Sequence, residues 1–168
     1  SNCAKRELDD RCFAVSKVGL QQLFDHAASY LKRRCRKAGV VVTLEVEPST
    51  AVVSVDVDLV AFLFESLIDA ALKVSRPGVM RLKATDDGGD SVKVELVDTR
   101  REVASEELAD MFMPTEHNLS PDGTLVGMEY LVAKEIVRLH EDNTGRRGSR
   151  MEARSDVEGT VILFTLPK

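Results

Sequence analysis

Asp56-Val57-Asp58-Leu59-Val60-Ala61-Phe62-Leu63-Phe64-Glu65-Ser66-Leu67-Ile68-Asp69-Ala70-Ala71-Leu72-Lys73-Val74-Ser75 is the stretch on which the fold turns. Leu63, Leu67 and Ala71 recur at helical spacing and share one apolar face. The helix is read as beginning at Asp58, and Ser75-Arg76-Pro77-Gly78 is a strong stop. Two further pairs stand at i and i+4, so each shares a face: Ser66 with Ala70, and Glu65 with Asp69. Turning the helix by about 100° to swap those pairs would take Leu63, Leu67 and Ala71 off the core. At about 1.5–3 kcal/mol per large side chain, that is opposed by several kcal/mol. Glu65 and Asp69 are therefore expected on the solvated flank.

Outward from this helix, the chain alternates helix and strand signals without repeats. Ser16 to Ala38 carries Val18, Leu23, Phe24, Ala27 and Leu31 at helical spacing, with Ser16 as N-cap and Gly39 as stop. Val40 to Val46 and Ala51 to Val55 are β-branched runs around Pro48-Ser49-Thr50 and read as a hairpin. Val79 to Ala84 and Val92 to Val97 form a second hairpin around Asp86-Asp87-Gly88-Gly89-Asp90. A short helix is expected over Ser105 to Met111, an aperiodic mobile loop over Thr115 to Thr124, and a helix over Leu125 to His140. Arg150 to Ser155 and Thr160 to Leu166 close the chain as strands joined at Glu158-Gly159. The order predicts an α+β fold, a two-layer α/β sandwich with a mixed sheet of about five to six strands and about three main helices. Residues 1–14 read as an N-terminal extension and 15–168 as one domain.

Composition bounds the function. With 168 residues and 43% apolar content, the chain can bury one good core. A net charge of −5 argues against nucleic acid or an anionic membrane as the main partner. No apolar run approaches the roughly 18 residues of a membrane helix, and no signal pattern opens the chain. Cys3, Cys12 and Cys35 form neither a Cys-x-x-Cys pair nor a zinc set, so a reducing cytoplasm is expected. Ser1-Asn2 reads as an expression scar, and the abrupt start suggests a piece of a longer protein.

The helix at Asp56–Ser75 resembles the N-box helix of sensor histidine kinases, in the GHKL ATPase superfamily with its Bergerat fold. There, Asp-x-Asp precedes Asn-Leu-Leu-x-Asn-Ala-x-Lys-Tyr-Ser/Thr. Glu106-Glu107-Leu108-Ala109-Asp110-Met111-Phe112-Met113-Pro114 resembles the family's F-box. Leu125-Val126-Gly127-Met128-Glu129-Tyr130 and the residues to His140 are similar to its second glycine box and the following helix. Glu158-Gly159-Thr160 through Leu166-Pro167 is similar to its closing strand. The resemblance runs from about Val15 to Pro167 and implies a histidine-kinase ATP-binding domain.

The same resemblance marks what this chain lacks. Ser66 and Ala70 stand where the family has its two asparagines, the second of which coordinates the magnesium of Mg-ATP. Alanine has no atom to coordinate a metal. The first glycine box, Asp-x-Gly-x-Gly, is here Asp98-Thr99-Arg100-Arg101-Glu102, with the adenine-binding aspartate present and both glycines replaced by charged residues. In the second box, whose glycines expose backbone N–H groups to phosphate, the equivalents are Leu125, Gly127 and Glu129. A Glu129 carboxylate about 6 Å from a phosphate would be repelled by roughly 3 kcal/mol at an effective dielectric near 20. Lys73 stands where the family has a phosphate-contacting lysine, but it also suits a helix C-terminus.

Ser66, Ala70, Lys73, Asp98, Arg100, Glu102, Gly127 and Glu129 thus outline a vestigial nucleotide pocket, with no catalytic residue and no metal site. Asp98 could bind an adenine-like amine or receive hydrogen bonds from Arg100 and Arg101. His26 lacks the context of a phospho-acceptor, His117 and His140 lack a ligand cluster, and Arg146, Arg147, Arg150 and Arg154 read as a solvated rim. Two function classes follow. One is a non-catalytic regulatory module that contacts a response regulator, a partner kinase or neighbouring domains. In that reading no cofactor is expected, neither nucleic acid nor membrane is bound by this piece, and the parent is a dimer on the cytoplasmic side. The other is a kinase domain that binds ATP and magnesium by an unusual route, for protein-histidine phosphorylation.

Overall fold

The computed structural model describes residues 13–101, 103, 105–112, 128–144 and 151–168. The strands are β1 (Ser16–Gly19), β2 (Val42–Val46), β3 (Val52–Val55), β4 (Gly78–Thr85), β5 (Ser91–Asp98), β6 (Met151–Asp156) and β7 (Gly159–Pro167). The helices are α1 (Leu20–Ala38), α2 (Val57–Ala71), α3 (Ser105–Asp110) and α4 (Glu129–Thr144). Five strands form one mixed sheet in the order β2-β4-β5-β7-β6, in which only β2 and β4 run parallel. β1 and β3 make a separate antiparallel pair. This is the expected α+β fold with its mixed sheet.

Alternate residues of the large sheet face the helices and are fully buried, among them Met80, Leu82, Val92, Val94, Phe164 and Leu166. Phe64 of α2 joins the layers, its ring edge-on to Phe24 of α1 at 6.0 Å and near Phe164 of β7 at 5.8 Å. Burying a ring of this kind is worth about 1.5–3 kcal/mol, so these contacts fix α2 against sheet and α1 together. The other sheet face carries polar pairs, including Arg81 with its cross-strand neighbour Glu45 at 2.9 Å and Arg154 with Glu95 at 3.1 Å. One wet face and one covered face make the two-layer sandwich.

Three local expectations are corrected. Ser16 is not an N-cap: Ser16–Gly19 is extended and pairs with β3, and the helix starts at Leu20. The apolar residues of so short a strand had merged with the helical period that follows. β2 and β3 are not a hairpin, because β2 pairs parallel with β4 while β3 pairs with β1. Buried Val53 and Val55 make β3 a core strand of its own small sheet. α2 begins at Val57 rather than at Asp58, and Asp56 caps it, its carboxylate accepting from the Leu59 N–H at 3.1 Å.

The hairpin β4–β5 and the closing pair β6–β7 stand as read. Asp98, the last residue of β5, lies opposite Met80 and Thr160 on the strands to either side. The expected loop over Thr115 to Thr124 lies outside the described residues, as do Leu125 to Gly127, where a helix was expected to begin, and His117, Arg146, Arg147 and Arg150.

Candidate functional site

The centre of the site is the end of β5. Asp98 is buried, and the next residues turn sharply, Thr99 donating from both N–H and hydroxyl to the Val79 carbonyl. That turn folds the Arg100 side chain back over Asp98. Nε donates to Oδ1 at 2.9 Å and Nη2 to Oδ2 at 2.9 Å, a two-pronged pair, while the Arg100 backbone N–H also reaches Oδ1 at 3.0 Å. The remaining guanidinium N–H groups donate to main-chain carbonyls: Nη1 to Val74 at 3.0 Å and Arg76 at 2.7 Å, and Nη2 to Ala71 at 2.8 Å. Every donor of this buried cation is used.

The carbonyl of Ala71 belongs to the last turn of α2, where no basic residue of the helix itself faces the dipole. Arg100 supplies that charge from across the structure. Arg76 returns the contact by donating to the Arg100 carbonyl at 2.9 Å. Gly78 completes the fit: a Cβ there would sit 2.6 Å from the Arg100 Cγ, and its φ of +151° is one that side-chain-bearing residues rarely adopt.

Ser66 and Ala70, on α2, are both buried. Lys73, just beyond the helix, reaches Glu129 at the start of α4, with Nζ 2.9 Å from the carboxylate. The two charges that the resemblance would place beside phosphate thus neutralise each other. Arg101 donates from Nη1 to the Tyr130 hydroxyl at 3.0 Å, and its carbonyl accepts from the Thr160 hydroxyl at 2.8 Å. Burial pushes the Tyr130 hydroxyl pKa above its ordinary value. Between Leu67, Ala71, Met80, Leu96, Asp98 and Tyr130 remains a cavity of about 20 Å³, room for about one water. Glu102 and Gly127 lie outside the described residues.

The expectation that Glu65 and Asp69 are merely solvated is corrected. Glu65 lies 3.0 Å from His26 Nε2, and Asp69 accepts from the Tyr30 hydroxyl at 2.8 Å and from Arg34 Nε at 3.1 Å. Both carboxylates tie α2 to α1, on the flank away from Asp98. Burial, with the bond to Asp69, lifts the Tyr30 hydroxyl to about 12.

The residues that sequence reasoning passed over are Gly78, Arg76, Tyr130 and Thr160. Gly78 carried a signal, as a glycine directly after a proline, but it was legible only as a helix stop. The sequence alone assigns His140 no role. It is wholly buried, its Nε2 accepting the Asp56 N–H at 3.0 Å, so Nδ1 carries the proton and donates to the Ile136 carbonyl at 2.8 Å. Burial lowers its pKa.

ATP and magnesium are the ligands that the resemblance implies. The carboxylate that the resemblance would set against the adenine amine is engaged on both oxygens by Arg100, and the Ala70 side chain offers no metal ligand. Among the described residues, no three histidine, cysteine or carboxylate side chains are grouped to hold a metal ion. No helix among them is long and apolar enough to cross a membrane.

No family model matches the chain. The sensor histidine kinase ZraS of Klebsiella oxytoca is 24% identical over 152 residues, which cover 89% of this chain and 31% of that protein. The chain therefore spans less than a third of that relative's length. The nucleotide-free catalytic domain of histidine kinase ThkA superposes with a TM-score of 0.70 at 18% identity, over 92% of this chain and 96% of that domain. ThkA in complex with the response regulator protein TrrA superposes with a TM-score of 0.65 at 14% identity, over 99% of this chain and 47% of that one. Strand order, helix layer and superposition agree: this chain has the GHKL fold of histidine-kinase catalytic domains.

Proposed function

We propose that this chain is a degenerate histidine-kinase ATP-binding domain of a two-component signalling protein, a regulatory module that contacts other proteins and does not bind Mg-ATP productively. The observation that carries the reading is the Arg100–Asp98 pair. Phosphoryl transfer depends on positioning and charge neutralisation around Mg-ATP. Here the adenine acceptor is bound by an internal cation with all its donors engaged, and the lysine and glutamate near the phosphate end are bound to each other. Ser66 and Ala70 add the loss of metal-binding side chains.

A response regulator is the favoured partner class, since ThkA, of the same fold, forms a complex with one. A partner kinase or neighbouring domains of a dimeric, cytoplasmic-side parent are the other candidates. An active kinase would need Arg100 to leave Asp98 and three carbonyls at once. Thermal denaturation tests the reading. Ligand at a hundred times its dissociation constant would add about 2.7 kcal/mol of stability, so an unchanged melting temperature in millimolar Mg-ATP supports the proposal, and a rise of several degrees refutes it.

A further inference from the structure

A second feature of the chain lies at the outer edge of the large sheet, two strands from Asp98, where the C-terminal half of α1 overhangs β2. The chain is acidic overall, yet Lys32, Arg33, Arg34, Arg36 and Lys37 crowd this helix end. Arg34 is engaged by Asp69, and Arg33 lies over the Tyr30 ring. Lys32 and Arg36 are exposed, one helical turn apart, and have no acidic partner among the described residues. They line a cleft of about 610 Å³ that also includes Leu31, Cys35, Val42 and Leu44. That volume is within the range of binding clefts.

One wall of the cleft is β2, an end strand of the large sheet, and nothing among the described residues pairs with its outer edge. The Gly78 N–H donates to the Val41 carbonyl and the Glu47 N–H to the Leu82 carbonyl, so odd-numbered residues of this strand address β4. Backbone groups alternate along a strand, which turns those of Val42, Leu44 and Val46 outward. The Val42 carbonyl receives a long contact from the Cys35 thiol at 3.8 Å, leaving Leu44 and Val46 to offer a donor and an acceptor each. An unpaired edge of this kind is a template for a further strand.

We infer that the β2 edge and the cleft under α1 dock an extended acidic segment of a partner protein by strand addition. The segment pairs with Leu44 and Val46, two of its carboxylates at i and i+2 meet Lys32 and Arg36, and a same-face apolar side chain enters the cleft. Spacing supports this. One helical turn separates the two cations by about 5.4–6 Å along the axis, and alternate residues of a strand lie about 6.8 Å apart. Main-chain bonds supply affinity in such an arrangement, and the alternate side chains supply specificity. The inference goes beyond the proposed function and stands whether or not nucleotide binds.

The test uses the whole chain with a fluorescein-labelled peptide, TVTETETVT, whose alternate valines and glutamates share one face in either strand direction. Saturable binding is expected, with slowed amide exchange at Leu44 and Val46. It should weaken by about tenfold or more in the exposed-surface variant Lys32→Glu with Arg36→Glu, whose fold is checked by its melting curve. Binding should also be lost when the peptide is N-methylated at alternate residues, a control that leaves the protein untouched. Equal binding of TVTKTKTVT, or indifference to the double charge reversal, would overturn the inference. So would a chain that ignores the peptide and instead dimerises through β2 or binds phosphatidylserine vesicles.

Discussion

The guanidinium of Arg100 grips both carboxylate oxygens of Asp98, 2.9 Å from each, in a site where both residues are buried. Removing one partner of such a pair leaves the other as an uncompensated buried charge, at a cost of about 3–5 kcal/mol. Arg100→Ala should therefore destabilise the domain by that amount in urea unfolding, since the carbonyls of Ala71, Val74 and Arg76 lose their donors as well. Arg100→Lys should recover little of it, because an ammonium cannot present the planar fork that reaches Asp98 and the end of α2 together. A lysine variant as stable as the parent would show that charge alone matters.

Two glycines should be intolerant of a methyl group for reasons that end at the same pair. Gly78→Ala brings a Cβ within 2.6 Å of the Arg100 Cγ, on a side chain pinned at its far end. Gly159→Ala brings one within 2.1 Å of the Asp98 carbonyl, at a φ of +128°. Backbone strain and overpacking each cost about 1–3 kcal/mol. Both variants should melt several degrees lower, with Gly159→Ala the worse because backbone cannot swing aside.

His140 should make stability fall in mild acid. Its folded-state pKa lies below the ordinary 6.5, chiefly because burial disfavours the imidazolium, although the Ile136 carbonyl and the Asp56 charge oppose that shift. The unfolded chain therefore takes up a proton first as the pH drops. The contribution is complete above pH 6.5 and is lost below it, as the pH falls through the depressed value. Protonating Nε2 also ends its bond to the Asp56 N–H at the start of α2. Urea midpoints measured from pH 7.5 down to 5 should decline in the parent and decline less in His140→Gln.

Lys73 and Glu129 should matter little to stability. Their bridge is half-exposed on the lysine side, and pairs of that kind are worth about 0–1 kcal/mol. Lys73→Met or Glu129→Gln should shift the urea midpoint only slightly, and neither should create nucleotide binding while Arg100 holds Asp98. Tight binding by Glu129→Gln would mean that this carboxylate, rather than Arg100, closes the site.

Features that are local in sequence were legible, and those made by distant partners were not. The α2 period, the β4–β5 turn and the β6–β7 turn each lie within a few residues and were read correctly. β2 and β3 misled because a short link with Pro48 between two β-branched runs looks like a hairpin, whereas the partner of β2 lies across a whole helix, at Gly78 to Leu82. Ser16–Gly19 is too short to show a period of two. Asp98 and Arg100 could be named from the sequence, and their pairing was one of two open readings. The three carbonyls and the close approach of Gly78 that hold Arg100 in place exist only once α2 packs beside β5.

The most direct test of the central claim is a calorimetric titration of the domain with ATP or a non-hydrolysable analogue, with and without magnesium. The pairing of Arg100 with Asp98, and the absence of a metal ligand at Ala70, predict no heat of binding up to millimolar nucleotide in either condition. Micromolar, magnesium-dependent binding would contradict the claim and return the chain to the kinases that use ATP.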